Sequence, residues 1–205
     1  MTSTASHEQD WRGLLLAAGK GSRFDPAGNQ NKLLQFTSNG QLVAENSARN
    51  LLAVLPDSLA ILSATSSTDT LELLSSTLQK TGCMLTVCPN AEQGMAASLV
   101  HGLQQSADYA GWIIALADMP YVKPDSIKKL LHTMQAGADI GVLVYQGQRG
   151  NPVGFSRKYL DQLLALSGDQ GARKLLQQHL VTEIAVDDPG ILHDIDVPED
   201  LAKPI

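Results

Sequence analysis

The chain has 205 residues, 43% of them hydrophobic and only 4% aromatic, with a net charge of -6 at neutral pH. That length suits one α/β domain with a sizeable core, and an acidic balance without a dense Lys/Arg run excludes a broad nucleic-acid-binding face. No apolar stretch reaches the roughly 20 residues that span a bilayer, so no membrane segment is expected.

Residues 1–10 are polar, lack the apolar centre of a signal peptide, and are expected as a loose tail before a single domain over residues 11–205. Residues 13–17 (GLLLA) then form a short apolar run ending near glycines, as a buried strand entering a turn does. The runs at 59–63, 84–87, 112–117 and 140–144 have the same character, and a last strand is expected at 182–186. Apolar runs without strict alternation suit strands covered on both faces, hence a mostly parallel sheet.

Helical spacing of apolar residues marks 42–55, 69–78, 95–104 and 126–134, the last introduced by Pro124 and Asp125. Further helices are expected at 157–166 and 172–179, and residues 194–201 read as an acidic strand end running into a helix start. Alternating β and α units predict a three-layer α/β/α sandwich with a Rossmann-like, mostly parallel sheet and ligands at the carboxyl ends of its strands. Cys83 and Cys88, placed on opposite faces of one strand by their odd spacing, are expected to stay reduced, which suits the cytoplasm.

The most informative stretch follows the first strand: Leu16, Ala17, Ala18, Gly19, Lys20, Gly21, Ser22 and Arg23. Glycines let the backbone bend sharply and bring N–H groups to an anion, while Lys20 and Arg23, with Lys32 after a short polar loop, supply charge for a triphosphate. The spacing is wrong for a P-loop and lacks the third glycine of a dinucleotide fingerprint. Gly94 and Ser98 lie where a strand meets a helix N-terminus, which either binds an anion or simply packs small residues. Asp118 ends an apolar run before Met119 and Pro120, so it either caps that turn or projects a carboxylate into the ligand crevice. Ser22 and Ser98 have no evident base, and no covalent mechanism is suggested.

The glycine loop, with Asn31-Lys32-Leu33-Leu34 after it, resembles the signature of MobA-like NTP transferases, and within them the MocA-type molybdenum-cofactor cytidylyltransferases. The resemblance runs over nearly the whole chain after the tail, with the motifs in family order. It implies a fold of the nucleotide-diphospho-sugar transferase type. Catalytic roles then fall to Arg23, Lys32 and Asp118. Residues 16–23, Lys32, Gly94 and Ser98 would hold the nucleotide, Asp118 and Asp196 the Mg²⁺, and Asn151 and Asp169 the acceptor. Asn151 replaces the His of the family's Gly-His-Pro segment, and the six residues from Asp25 to Gln30 lengthen the usual Arg-to-Lys connection. Ala17-Ala18-Gly19 is similar to the cytidylyltransferase form, which implies CTP as donor, molybdopterin as phosphorylated acceptor and a client molybdoenzyme. A sugar- or polyol-phosphate nucleotidyltransferase would use the same loop and Asp pair, and a non-catalytic cofactor chaperone would bind the same ligands without turnover.

Overall fold

The computed structural model describes residues 10–19, 21–169 and 171–202. The expected tail lies outside them apart from Asp10, and so does Lys20. Strand β1 (Trp11–Ala17) is an interior strand of a seven-stranded sheet. It is followed by β2 (Ser58–Ser63), β3 (Met84–Cys88), β4 (Gly111–Leu116), β5 (Ile140–Tyr145), β6 (Gln148–Ser156) and β7 (Thr182–Ala185). Across the sheet the order is β3-β2-β1-β4-β6-β5-β7. Only β6, among the described strands, runs antiparallel to its neighbours β4 and β5.

Alternation along β1 sorts the helices into two layers. Leu15 and Ala17 point to a core shared with α1 (Val43–Leu52), α2 (Thr68–Lys80) and α4 (Pro124–Gln135). Leu14 and Leu16 point the other way, onto α3 (Met95–Gln104), α5 (Leu160–Leu164) and α6 (Arg173–Gln178). Each fully buried Leu in these layers contributes about 2 kcal/mol of transfer free energy. The architecture is the expected α/β/α sandwich, and Cys83 and Cys88 are both free and buried.

Three local expectations are corrected. Residues 148–156, where the apolar pattern marked no strand, form strand β6. Gly150, Pro152 and Gly154 hide its alternation, yet the glycines are needed there. A Cβ on Gly150 would lie 2.2 Å from the Ile191 carbonyl oxygen, and one on Gly154 2.7 Å from Met134 Cγ. Pro152 follows the last β4 pair, Ile114 with Val153, and falls within the register shift between β5 and β6, so it removes no regular ladder bond. Residues 157–166 divide into a 3₁₀ turn, Arg157–Tyr159, and the short α5. Around Asp196 there is extended loop rather than a strand end, and a 3₁₀ turn over Pro198–Ala202 follows it.

β1 pairs with β2 on one side and β4 on the other, and Leu16 sits level with Leu116 in the β1–β4 register. The glycine loop leaving β1 and the Asp118 turn leaving β4 therefore emerge side by side at the carboxyl edge of the sheet. That edge is where open α/β sheets hold ligands.

Candidate active site

A cleft of about 550 Å³ opens at this edge. Its floor is Leu16, Ala18 and Leu116; one wall is the glycine loop and the other begins at Gly94 and Ser98 on the rim of α3. Ala17 points away from it into the core beneath α1.

The glycine loop turns at Gly21, whose φ of +63° is the left-handed conformation that glycine alone adopts freely. Phe24 and Asp25 N–H groups donate to the Gly21 carbonyl, and buried Phe24 anchors the turn. None of the described residues accepts a hydrogen bond from the backbone N–H of Gly21, Ser22 or Arg23, so these donors are available to an anion. Asp25 organises the longer connection by accepting from the N–H groups of Ala27, Asn29 and Gln30 at 2.9, 2.7 and 2.8 Å. Those bonds, the one from Gln30 foremost, hold its carboxyl below the usual range. Asn31 then caps a 3₁₀ turn, its side chain accepting from Leu33 N–H, and the turn aims Lys32 back at the sheet edge.

Lys32 joins the two candidate metal-binding carboxylates. Its Nζ lies 2.5 Å from Asp118 Oδ2 and 3.2 Å from Asp196 Oδ1, and Arg23 Nη1 lies 2.5 Å from Asp196 Oδ2. The Lys32 side chain is only 9% exposed and the two Asp side chains about one-fifth, whereas Arg23 is 76% exposed. Four residues from four segments of the chain thus meet in one charged knot.

Each carboxylate is fixed from behind. Asp118 sits two residues past β4, in a turn that α1 holds through Ser47 Oγ on the Ala117 carbonyl and Asn50 Nδ2 on the Pro120 carbonyl. Ile195, fully buried, donates its N–H to the Asp118 carbonyl at 2.8 Å and so docks the second segment against the first. Buried Asp200 accepts from the N–H groups of Asp196 and Val197, both at 2.9 Å. Asp194 flanks Asp196 on the cleft side; burial, then the Asp196 charge, raises its pKa. Residues 194 and 196 fall on one side of an extended segment while Ile195 enters the core, a period-two signal that could have added Asp194, which the sequence reading left out of the site.

Across the cleft, Gly94 has φ +110° and heads α3 without a side-chain cap. The loop carrying Asp169 lies directly on it: Ala96 N–H donates to the Gly168 carbonyl at 3.0 Å. Asp169 therefore lines the same cleft as the glycine loop, with Glu92 and Met95 beside it. Asn151 is placed elsewhere. It is on β6, beside a separate cavity of about 10 Å³ that it shares with Asn50 and Leu116. Glu92 and the supports Ser47 and Asn50 were not singled out by sequence, since their roles come from tertiary contact.

The donor set suits a hard divalent cation: two carboxylates, one with an oxygen not held by either cation, beside loop amides that favour phosphate. Among the described residues no group of three or more His, Cys, Asp and Glu side chains converges to hold a metal. An ion there would be completed by substrate oxygens, as is usual for Mg²⁺.

A model of the MobA-like NTP transferase domain matches residues 13–183. The chain belongs to this family. It is 29% identical over 197 residues to the purine catabolism protein PucB of Bacillus subtilis, covering 92% of each chain. A crystal structure of Rv0371c from Mycobacterium tuberculosis superposes with a TM-score of 0.80 at 25% identity, over 98% of this chain and 97% of that one. Rv0371c in complex with manganese gives 0.74 at 23%, over 94% and 96%. The fold described above is thus that of a nucleotidyltransferase family, and no described helix is long and apolar enough to cross a membrane.

Proposed function

We propose that this protein transfers CMP from CTP to the phosphate of molybdopterin, releasing pyrophosphate, with Mg²⁺ as its metal. The observation that carries the transfer reading is the knot of Lys32 and Arg23 on Asp118 and Asp196, facing a loop of available amides in one cleft. A structural relative has been solved in complex with manganese, which supports a divalent metal as the cofactor. Support for CTP and molybdopterin is the Ala17-Ala18-Gly19 form of the loop and the order of the motifs.

In this reading a phosphate oxygen of the acceptor attacks the α-phosphorus of CTP in line, and the bond to the β-phosphate oxygen breaks. Arg23, Lys32 and the Gly21–Arg23 amides hold the departing pyrophosphate and offset its charge. Gly94 and Ser98 bound the nucleoside end of the cleft, and Asp169 stands across from the loop on the same wall. Mg²⁺, held by Asp118 and Asp196, would supply Lewis-acid charge stabilisation to the reacting phosphates. Phosphoryl chemistry needs positioning and charge more than an acid or base, and the site offers the former. The product would pass to a client molybdoenzyme.

The test is pyrophosphate release from CTP, GTP, ATP and UTP, each with Mg²⁺ and molybdopterin. Release with CTP at least about tenfold above the others is expected. No preference for CTP would overturn the donor assignment, and release equally fast with a sugar phosphate would overturn the acceptor.

A further inference from the structure

The turn that carries Asp118 rests on two donors from α1. Ser47 Oγ donates to the Ala117 carbonyl at 2.9 Å and Asn50 Nδ2 to the Pro120 carbonyl at 3.0 Å. Both side chains border the cavity of about 10 Å³ where Asn151 stands, closed otherwise mostly by apolar groups such as Leu51, Met119 and Val122. The last β4–β6 pair is Ile114 with Val153. Asn151 and Leu116 each lie two residues beyond it, so Asn151 flanks the strand end that leads into Asp118.

The three polar groups around this cavity have hydrogen-bonding capacity to spare. The bond to Pro120 orients the Asn50 amide and leaves its Oδ1 as an acceptor, to which no described residue donates. The Asn151 amide neither donates to nor accepts from any described residue. Ser47 has directed its hydrogen at the Ala117 and Val43 carbonyls and keeps lone pairs. Unmet polar groups in a mostly apolar pocket cost free energy, and a cavity of this size with three polar partners suits one water.

Resting on the nucleotidyltransferase reading above, we infer that Asn151 is a positioning residue: through one ordered water it braces Asn50, and with it the turn that presents Asp118. The water accepts from Asn151 Nδ2 and donates to Asn50 Oδ1 and Ser47 Oγ, the three bonds usual for a buried water. Such a bridge holds nearly as well as a direct hydrogen bond. Asn151 thus acts on the reaction from behind the sheet edge and does not touch the acceptor.

The test combines crystallography with kinetics. In wild type the cavity should hold one ordered water within hydrogen-bond distance of Asn50 Oδ1 and the Asn151 amide; a dry cavity overturns the inference at any level of activity. Asn151→Leu keeps the size of the side chain and removes its polarity, and its crystal should show the 117–120 turn displaced. With thermal melts confirming folding, its kcat for pyrophosphate release should fall about tenfold while KM for CTP and for molybdopterin stays within about twofold. Mn²⁺ affinity in the presence of α,β-methylene-CTP, read by electron paramagnetic resonance, should weaken about fivefold, which an unfolded fraction of protein does not produce. Asn50→Leu should lose more, and adding Asn151→Leu to it should change nothing further, because the brace acts through Asn50. A raised KM for molybdopterin at unchanged kcat makes Asn151 an acceptor contact and overturns the bracing role. So do additive losses in the double variant, or unchanged Mn²⁺ affinity in a folded Asn151→Leu. Should Asn151→Leu fail to fold, Asn151→Ala takes its place with the same expectations. Wild type that releases no pyrophosphate from any nucleotide defeats the nucleotidyltransferase reading; the wild-type water and the position of the turn in the variant then decide the bracing alone.

Discussion

Gly94→Ala is the substitution whose consequence is set most tightly by geometry. A Cβ at this position would sit 2.4 Å from Asp169 Oδ1 and 2.6 Å from the carbonyl carbon and oxygen of Gly168. Asp169 can rotate, but Gly168 is backbone, and its carbonyl is bonded to Ala96 N–H at 3.0 Å. The left-handed φ of +110° adds about 1–2 kcal/mol for any residue with a side chain. With the loop displaced as well, the total is roughly 2–3 kcal/mol, which for a chain of this size lowers the melting temperature by about 4–10 °C. The same strain shifts Gly94 and the rim of α3, which bound the nucleoside end of the cleft in the proposed reading, so affinity for α,β-methylene-CTP with Mn²⁺ should fall about tenfold. Calorimetric melts and titrations on one preparation test both parts. A variant that melts within 1 °C of wild type (by order of magnitude, about 0.3 kcal/mol) would refute the claim that Gly94 and the 168–169 loop are in rigid contact.

Asp200→Ala removes the acceptor for two backbone N–H groups and should cost roughly 2 kcal/mol, with Mn²⁺ affinity in the presence of nucleotide down about tenfold. Asp200→Asn keeps a carbonyl acceptor and should recover most of the Mn²⁺ affinity; equal loss in both variants would show that the carboxylate acts otherwise than by holding the Asp196 segment. Burial pushes the Cys83 thiol from 9.0 up to about 11, so the protonated form is favoured in the folded state. The stability this confers is full below pH 9 and is lost as pH rises toward 11, by roughly 2 kcal/mol. Denaturant midpoints between pH 8 and 11 should fall less steeply in Cys83→Ala than in wild type, and parallel slopes would contradict the assignment.

The layers and the sheet edge were legible because β1 and β4 are apolar on both faces and end in residues that no buried strand continues through. Asp118 follows from that logic, since a carboxylate just past a central parallel strand has one direction in which to meet solvent. Asp196 does not: it sits in a loop, and its link to Asp118 is one backbone bond from Ile195, which no periodicity announces. Ser47 and Asn50 were silent for the same reason, as ordinary helix residues whose partners lie 70 residues away in sequence. β6 was hidden by the glycines that let Ile191 and Met134 approach it. Its misreading also concealed that Asn151 stands beside a different cavity from the one Asp169 lines.

The central claim is nucleotidyl transfer at the Asp118–Lys32–Asp196 knot. Its most direct measurement follows label from [α-³²P]CTP into molybdopterin with Mg²⁺, in wild type and in Asp118→Ala. Labelled dinucleotide should form in wild type and fall at least about a hundredfold in a variant that melts like wild type, the loss of one such charged contact being worth about 3 kcal/mol. Label transfer at near wild-type rate in a folded Asp118→Ala would contradict it.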